Sequence, residues 1–535
     1  MDVIIIGGGW SGLFTLKHCI EEGLTCILLE KSSTYGGVWN IQNSPSVYPN
    51  TYSVTSKHYL SISDFPIPDE YPEFPHHSLV YQYMRSYVKQ FELNKYISLD
   101  SSVEKIKKTK EWNVTYLKEG VLQTIQGKHI ALCTGQNSRC IQMPSIDYSK
   151  FKGKVIHAND YNETFRQHHC VHKKVLIYGG SDTSADIADE LTNNMYSKDE
   201  KTKVILSFKK GRWIQRRNLG INAADMFYSR TLNQLIKLFD KKILIDSIFV
   251  PKIEKWWGKG GSGVHEWQPK AGYLNSYYVK SSNIVNKVSL GEIVPKGNIE
   301  SIQSNSVTFV DGTEETVDTI IFATGYAGMN CMYEIPESIK KGKYYQHLFL
   351  IEDPSVVKVG FIRPYLTSIP MIIEMQSRYV AKVFSNKVQL PSSMRMNWDY
   401  DAMKETQAKE FAYDYERVQG IVDPYDYMDW IGTAIGAIPS FFMNFELWKI
   451  VYFGSWSPYY YMLNHPDEKK REIAKKEIMK LKNHETSKTI YETIMDISFY
   501  SILILLVLFL IVFLVYVSWD TLFKKLKRFI HLPRT

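Results

Sequence analysis

At 535 residues, 44% hydrophobic and 22% charged, the chain has the composition of a globular protein and the length for two to four domains. A net charge of +8 would admit nucleic acid, but basic residues gather around one long apolar run near the C-terminus. There a membrane surface is the simpler partner, and no nucleic acid is expected. Six scattered cysteines (Cys19, Cys26, Cys133, Cys140, Cys170, Cys331) form no CxxC pair and no zinc spacing, so no metal is expected and a reducing compartment is. Met1-Asp2 leads straight into a strand the fold needs, so no signal peptide is expected and the large domain is expected in the cytosol.

Val3-Ile4-Ile5-Ile6 reads as a buried strand, closed by Gly7-Gly8-Gly9 and followed by a helical pattern through Cys19 and Ile20. Ile27-Leu28-Leu29 is a second buried strand, and Glu30 ends it. From about Val103 to Tyr116 the alternation is weaker and antiparallel in character; His129 to Leu132 is a further strand. Lys174 to Tyr178 repeats the opening, runs into Gly179-Gly180 and a helix containing Ala185 to Ala188, and Val204-Ile205-Leu206 follows. Strand, glycine turn and helix thus occur twice, which predicts an α/β fold with two doubly wound parallel sheets, each a Rossmann-like dinucleotide-binding domain.

Leu235 to Gly263, apolar and basic with two tryptophans, reads as an insertion or lid. Val307 to Tyr326 is expected to return to strands and rejoin the first sheet. Residues 400–420 read as a charged helix, and Met428 to Ile438 as a short helix that Pro439 ends. From Ile497 to Trp519 there is no charged residue, about the 20 residues a helix needs to cross hydrocarbon. A buried core helix is the alternative. Beyond it Lys524, Lys525, Lys527 and Arg528 interleave with Leu522, Phe523, Leu526, Phe529 and Ile530 in an amphipathic pattern. Lys480, Lys482 and Lys488 precede the run, so both flanks are basic and the topology stays open.

Gly7-Gly8-Gly9-Trp10-Ser11-Gly12 satisfies GxGxxG between a strand and a helix. Glycine lets the backbone turn sharply and approach a phosphate with no Cβ in the way. The helix N-terminus adds free N–H groups and a positive dipole end. Glu30, eighteen residues past Gly12, is placed to accept hydrogen bonds from the adenosine ribose. Gly36-Gly37-Val38-Trp39 follows closely, and by itself reads as a surface turn.

Phe151, Gly153, His157 and Tyr161 occupy every fixed position of FxGxxxHxxxY, and with these motifs the chain resembles the flavin-containing monooxygenases. Phe322-Ala323-Thr324-Gly325-Tyr326 looks like that family's FATGY. Pro364, Pro370, Glu374, Gln376 and Arg378 look like its helix-entry region, and Phe453-Gly454 with Pro458 to Tyr461 like its C-terminal stretch. The resemblance covers nearly the whole chain. It implies FAD on the first turn, with Gly7, Gly8, Gly9, Ser11, Gly12, Glu30, Lys31, Gly37, Val38, Trp39, Thr324, Gly325 and Gln376 as cofactor-binding residues.

The second turn departs from the family's GxGxSGxDIA. In Gly179-Gly180-Ser181-Asp182-Thr183-Ser184-Ala185-Asp186-Ile187-Ala188, serines 181 and 184 replace glycines and Asp182 replaces an asparagine. An aspartate beside a diphosphate is unfavourable, since like charges repel. NADPH is still expected here, on Gly179, Gly180, Ser181, Asp182, Thr183, Ser184, Ser207 and Lys209; a half retained only for packing is the alternative. Past Ser207, where an NAD site has an acid, stand Lys209, Lys210, Arg212, Arg216 and Arg217, which suit the 2′-phosphate of NADPH unless they are simply solvated. Val54 aligns with an asparagine that the family places close to the reactive flavin face. Thr55 or Ser56 could substitute for it, so these three residues are expected near the flavin, with no certain catalytic residue.

The resemblance implies that NADPH reduces FAD, that O2 adds at flavin C4a, and that the resulting hydroperoxide oxygenates a soft nitrogen or sulfur of a small lipophilic amine or sulfide. No nucleophile triad is needed, because the cofactor carries the chemistry. The implied organisation is an FAD domain over 1–160, an NADPH domain over 161–295 with an insertion at about 220–280, and a return segment to the FAD domain over 296–475. A basic linker at 476–496, a transmembrane helix at 497–519 and an amphipathic tail at 520–535 would anchor the protein in the endoplasmic reticulum membrane, with the catalytic domain cytosolic. Two other readings stay open. One is an oxidase releasing H2O2, or a Baeyer–Villiger ketone oxygenase; Val54 motivates the oxidase. The other is a flavin-bound but silent membrane scaffold, motivated by the second turn.

Overall fold

The computed structural model describes all residues except 43–46, 137–140, 194–201, 220, 228, 231–232, 235–249, 277, 327–333, 365–366, 412–419, 441–446 and 483–535. The opening strand β1 (Val3–Ile6) is buried at all four positions, as a parallel strand covered on both faces must be. Helix α1 (Trp10–Glu21) follows it and leads to β2 (Cys26–Leu29), parallel to β1 with Val3 opposite Cys26. β3 (Ile97–Ser98) extends the sheet beyond β2. An antiparallel meander, β4 (Ser101–Lys108), β5 (Trp112–Lys118) and β6 (Val121–Gly127), then covers one face. It packs Ile106, Trp112 and Val114 against Ile4, Ile6 and Leu29, while α1 covers the other face through Leu13, Phe14 and Leu16. β7 (His129–Leu132) pairs with β1 on its remaining side.

The same three layers are then built a second time. β8 (Lys154–His157), β9 (Lys174–Tyr178), helix α2 (Asp182–Thr192), β10 (Lys203–Ser207), β11 (Val279–Lys280), β12 (Ile293–Lys296) and β13 (Thr319–Phe322) follow in chain order. Five of these strands form a parallel sheet in the order β12-β10-β9-β13-β8. Ala185, Ile187 and Ala188 of α2 cover one face, and the strands Ile299–Ile302 and Ser306–Phe309 cover the other with Ile299, Val307 and Phe309. β11 instead pairs with Ile214–Gln215, so the long excursion between them leaves and returns at one point.

The chain comes back to the first sheet later than the sequence suggested. β13 pairs with β8 and β9 of the second sheet, so Val307 to Tyr326 does not rejoin the first. A buried TIIF strand satisfies either parallel sheet, and its neighbours decide between them. The return begins at β14 (Tyr344–Tyr345) and continues through β15 (Phe349–Leu350) to β16 (Val356–Lys358), which lies parallel to β7. The outer boundary shifts as well, because β8 at 154–157 already belongs to the second sheet.

Helix α3 (Ile369–Phe384), capped by Ser368, packs along α1 and brings the Ser377 hydroxyl within 3.2 Å of that of Thr15. The charged helix spans Ser393–Glu410. Helix α4 (Pro424–Ala434) starts four residues before the expected Met428, because Asp423 accepts from the N–H groups of Tyr425 and Asp426 and Pro424 fits the first turn. Helix α5 (Glu468–Lys482) ends the described chain. Its Lys470 reaches the buried Asp64 at 3.1 Å, beside the ion pair of Asp64 with Lys17 of α1. No helix among the described residues is long and apolar enough to cross a membrane; the run at 497–519 lies outside them, as do residues 235–249 of the expected insertion, whose remainder holds the helix Val250–Trp257 and a 3-10 turn at Lys259–Gly261. Cys19, Cys26, Cys133 and Cys170 are free and buried.

Candidate functional site

The first glycine turn is shaped by backbone packed against backbone. Gly7 has φ +107°, and a Cβ there would stand 2.6 Å from the Cys133 carbonyl oxygen. One on Gly12 would stand 1.9 Å from the Gly7 carbonyl oxygen. Gly9 is different: its Cβ would meet only Gly37 Cα, at 3.6 Å. The loop Gly36-Gly37 is pinned here by the Gly36 N–H, which donates to the Gly8 carbonyl at 2.9 Å. Gly37 itself takes φ +55°, where a Cβ would stand 2.9 Å from Gly9 Cα. Val38 and Trp39 continue this loop as a short 3-10 turn, partly buried, while Lys31 is exposed.

No side chain caps α1, and no acidic residue stands in its first turn. The first amides of the helix therefore keep their hydrogen-bonding capacity free. Glu30 is buried at the tip of β2; its Oε2 accepts from the Gly8 N–H at 2.5 Å and its Oε1 from the Ser32 N–H at 2.9 Å. Ser11 faces Gly360, where a Cβ would fall 2.3 Å from the serine oxygen. Gln376 lies behind that contact. Its Oε1 accepts from the Gly360 N–H at 2.9 Å and its amide donates to the Tyr427 hydroxyl at 2.8 Å. Both ends of Gln376 are thus occupied by protein, and it holds Gly360 against Ser11.

The second turn uses side chains where the first uses backbone. Gly179 has φ +150°, and its Cβ would meet the Ala323 carbonyl oxygen at 2.3 Å. The Ser181 N–H donates to the Ser184 hydroxyl at 3.0 Å, and that hydroxyl donates to the Ser181 carbonyl at 2.7 Å. Asp182 turns away: its Oδ1 accepts from the Lys280 N–H of β11 at 2.7 Å. Asp186, one turn on, is ion-paired with Arg217. Burial still pushes the Asp186 carboxyl up to about 6, against the pull of Arg217. Thr183 is partly exposed, the Ser207 hydroxyl donates to the Gly297 carbonyl at 2.5 Å, and Lys209 is exposed. Arg212, 4% exposed, packs on the turn instead: a Cβ on Gly180 would stand 3.0 Å from its Cγ.

Thr324 and Gly325 end β13; the Thr324 hydroxyl donates to the Gln142 carbonyl, and the Gln142 N–H donates to the Gly325 carbonyl at 3.0 Å. The FxGxxxHxxxY signature brackets β8 beside them, with His157 at the end of the strand. A Cβ on Gly153 would strike the Asp318 carbonyl at 2.3 Å, His157 accepts from the Asn159 N–H at 3.1 Å, and its ring meets that of Tyr326 edge-on.

The segment around 47–56 joins the two halves. Asn50 donates to Glu190 of α2 at 2.7 Å, Tyr48 packs in the second core, and the Ser56 N–H donates to Asp225 at 2.7 Å. Ser53, Thr55 and Ser56 are buried; Val54 is partly exposed. Tyr48, Asp225 and Lys280 carried no signal in the sequence, because each comes from a different segment and none sits in a motif. Arg212 and Arg217 were visible only as members of a basic run.

Two sheets, the first mixed and the second parallel, each carrying a strand, glycine turn and helix, define a protein of the α/β class. The chain belongs to the flavin-binding monooxygenase-like family, whose model matches residues 1–518. It is 30% identical to flavin-containing monooxygenase 5 of Oryctolagus cuniculus, over 82% of this chain and 83% of that protein. It is 27% identical to dimethylaniline monooxygenase [N-oxide-forming] 2 of Mus musculus, over 87% and 89%. Among solved structures, S-allyl-L-cysteine S-oxygenase from Allium sativum shares the fold at TM-score 0.59 and 18% identity, over 90% of this chain and 99% of that one. The protein is a monooxygenase that uses FAD and NADPH.

Proposed function

We propose that this chain oxygenates soft nitrogen or sulfur centres of small lipophilic amines or sulfides, with FAD on the first glycine turn and NADPH on the second. The observation that carries the reading is the open first turn. Its glycines are locked by protein at Gly7 and Gly12, a Cβ on Gly9 would meet only Gly37 Cα at an ordinary 3.6 Å, and the amides of α1 have no side-chain cap. That is the shape a diphosphate needs. Relatives named for N-oxide formation and S-oxygenation support the substrate class.

When bound, the flavin supplies hydride acceptance and oxygen transfer. This chain's own residues then bind and orient it. Gly7, Gly8, Gly9, Ser11 and Gly12 present backbone to the diphosphate, Gly37 to Trp39 close over it, and Glu30 accepts from the ribose hydroxyls in place of the Gly8 or Ser32 N–H. Gln376 keeps Gly360 behind Ser11. On the second turn Gly179 to Ser184 face the NADPH diphosphate, and Arg212, with Lys209 beyond it, takes the 2′-phosphate. Val54, Thr55 and Ser56 line the side facing the flavin, where the buried Thr55 and Ser56 help to exclude water. The apolar run at 497–519 is proposed as an anchor in the endoplasmic reticulum membrane.

Anaerobic NADPH should bleach the flavin absorbance, and air should restore it with one N- or S-oxide formed per NADPH. Failure to bleach would favour the silent scaffold. Peroxide equal to NADPH consumed with every amine and thioether tried would favour the oxidase.

A further inference from the structure

Three polar groups from three separate segments meet between the second turn and the segment at 53–56 without satisfying one another. Asp225 is 8% exposed; its Oδ2 accepts from the Ser56 N–H, but its Oδ1 is buried with no hydrogen-bond partner. The Ser56 hydroxyl is fully buried and also has none. The Lys280 ammonium feels the charges of Asp182 and Asp225, yet no hydrogen bond or ion pair to it exists among the described residues. A buried polar atom left without a partner costs about 1–3 kcal/mol, so Asp225 Oδ1 and the Ser56 hydroxyl, with the partly exposed Lys280 beside them, point to a ligand that supplies the missing partners.

The position limits what that ligand is. Asp182, in the first turn of α2, is bonded to the Lys280 backbone, so Lys280 abuts the second glycine turn. Ser56 lies on the opposite side, three residues before Tyr59, and the Tyr59 carbonyl accepts from Ser368 at the start of α3 beside α1. The group in question lies between the two dinucleotide turns.

Charge narrows the choice further. Lys280 and Arg217 stand against Asp182, Asp186 and Asp225, so the cluster is short of positive charge and repels a phosphate. A cationic amine would meet the Lys280 ammonium. A neutral primary amide meets neither objection: its carbonyl accepts from Lys280, its NH2 donates to Asp225 Oδ1, and the Ser56 hydroxyl serves either atom.

We propose that Lys280, Asp225 and Ser56 form the subsite that binds the carboxamide of the NADPH nicotinamide. The assignment rests on NADPH binding at the second turn. It makes all three positioning residues: Asp225 reads the amide NH2 and Lys280 the carbonyl.

The test is equilibrium binding to the FAD-loaded protein of NADP+, of its 3-acetylpyridine analogue (a methyl ketone in place of the amide) and of 2′,5′-ADP. Wild type should bind NADP+ at least about tenfold tighter than the analogue. Asp225→Ala should abolish that preference by weakening NADP+ alone. Lys280→Met should weaken NADP+ and the analogue together and leave 2′,5′-ADP within about twofold. FAD content reports folding, and if Asp225→Ala loses its flavin, Lys280→Met and Ser56→Ala still decide the matter. Equal losses for all three ligands, no loss for any, or a change confined to the amine substrate's KM would overturn the assignment. If wild type bound neither NADP+ nor 2′,5′-ADP, the reading of the second turn would itself fall, a result distinct from loss of carboxamide discrimination.

Discussion

Gly9→Ala separates a glycine needed by the fold from one needed by a ligand. Gly9 has φ −82° and ψ −170°, which alanine adopts freely, and the new methyl would meet only Gly37 Cα at an ordinary 3.6 Å. The apoprotein should lose under about 1 kcal/mol, the cost of a poorer helix cap. The methyl would, however, stand where a diphosphate approaches the α1 amides. Losing one charge-assisted hydrogen bond costs about 1.5–3 kcal/mol, so FAD should bind roughly 10- to 100-fold more weakly. Gly12→Ala is the contrasting variant. Its methyl would stand 1.9 Å from the Gly7 carbonyl oxygen, so backbone must move and the apoprotein itself should lose about 1–3 kcal/mol or more. Flavin fluorescence titration gives the affinity and urea unfolding of apoprotein the stability. If Gly9→Ala bound FAD within about twofold of wild type, no diphosphate would lie at this turn, and the reasoning from the open face of Gly9 would be refuted.

Lys17→Met should cost about 3–5 kcal/mol in urea unfolding, because Lys17 and Asp64 are both 2% exposed and the carboxylate would keep only Lys470; an unchanged midpoint would show the pair is dispensable. Burial holds His18 at about 4, below its ordinary 6.5. The folded state therefore binds fewer protons, and this contribution is complete above pH 6.5 and is lost as pH falls towards 4, to a limit of roughly 3 kcal/mol. His18→Gln should flatten that part of the stability profile, and an equally steep profile would assign the loss to other groups. Val54→Asn should lower the peroxide released per NADPH; a yield that stays level would detach Val54 from the oxygen chemistry.

What the sequence conveyed well is what local chemistry enforces. The first turn was legible because GxGxxG needs only a strand, a bend and a helix, all within Val3 to Glu21. The first two strands of the meander were legible from the weaker alternation between about Val103 and Tyr116, while its third strand, Val121–Gly127, was not. The assignment of Thr319–Phe322 to a sheet was not, because TIIF is buried on both faces wherever it goes and only its partners, Lys154–His157 and Lys174–Tyr178, distinguish the two sheets. Long-range side-chain meetings were equally hidden. Asp225 and Ser56 are 169 positions apart and Asp182 and Lys280 98 apart, and no periodicity links such residues.

The two turns also differ in what sustains them, and this explains how the second tolerates an aspartate. On the first, contacts of Gly7, Gly12 and Gly37 set the shape, and the one carboxylate at the turn, Glu30, is held by the Gly8 N–H. On the second, Asp182 would oppose a diphosphate if its carboxylate faced the helix axis. Instead the Lys280 N–H holds it to one side, and Arg217, whose Nε donates to the Lys280 carbonyl at 2.9 Å, fixes β11 in the position that makes this possible. A substitution that releases β11, such as Arg217→Ala, should therefore swing Asp182 towards the phosphates. NADP+ affinity should fall far more than FAD affinity, and Asp182→Asn should restore it in the double variant. Equal loss of both cofactors would mean that Arg217 only holds the two halves together. Recovery by Asp182→Asn is the result that a purely structural role for Arg217 does not give.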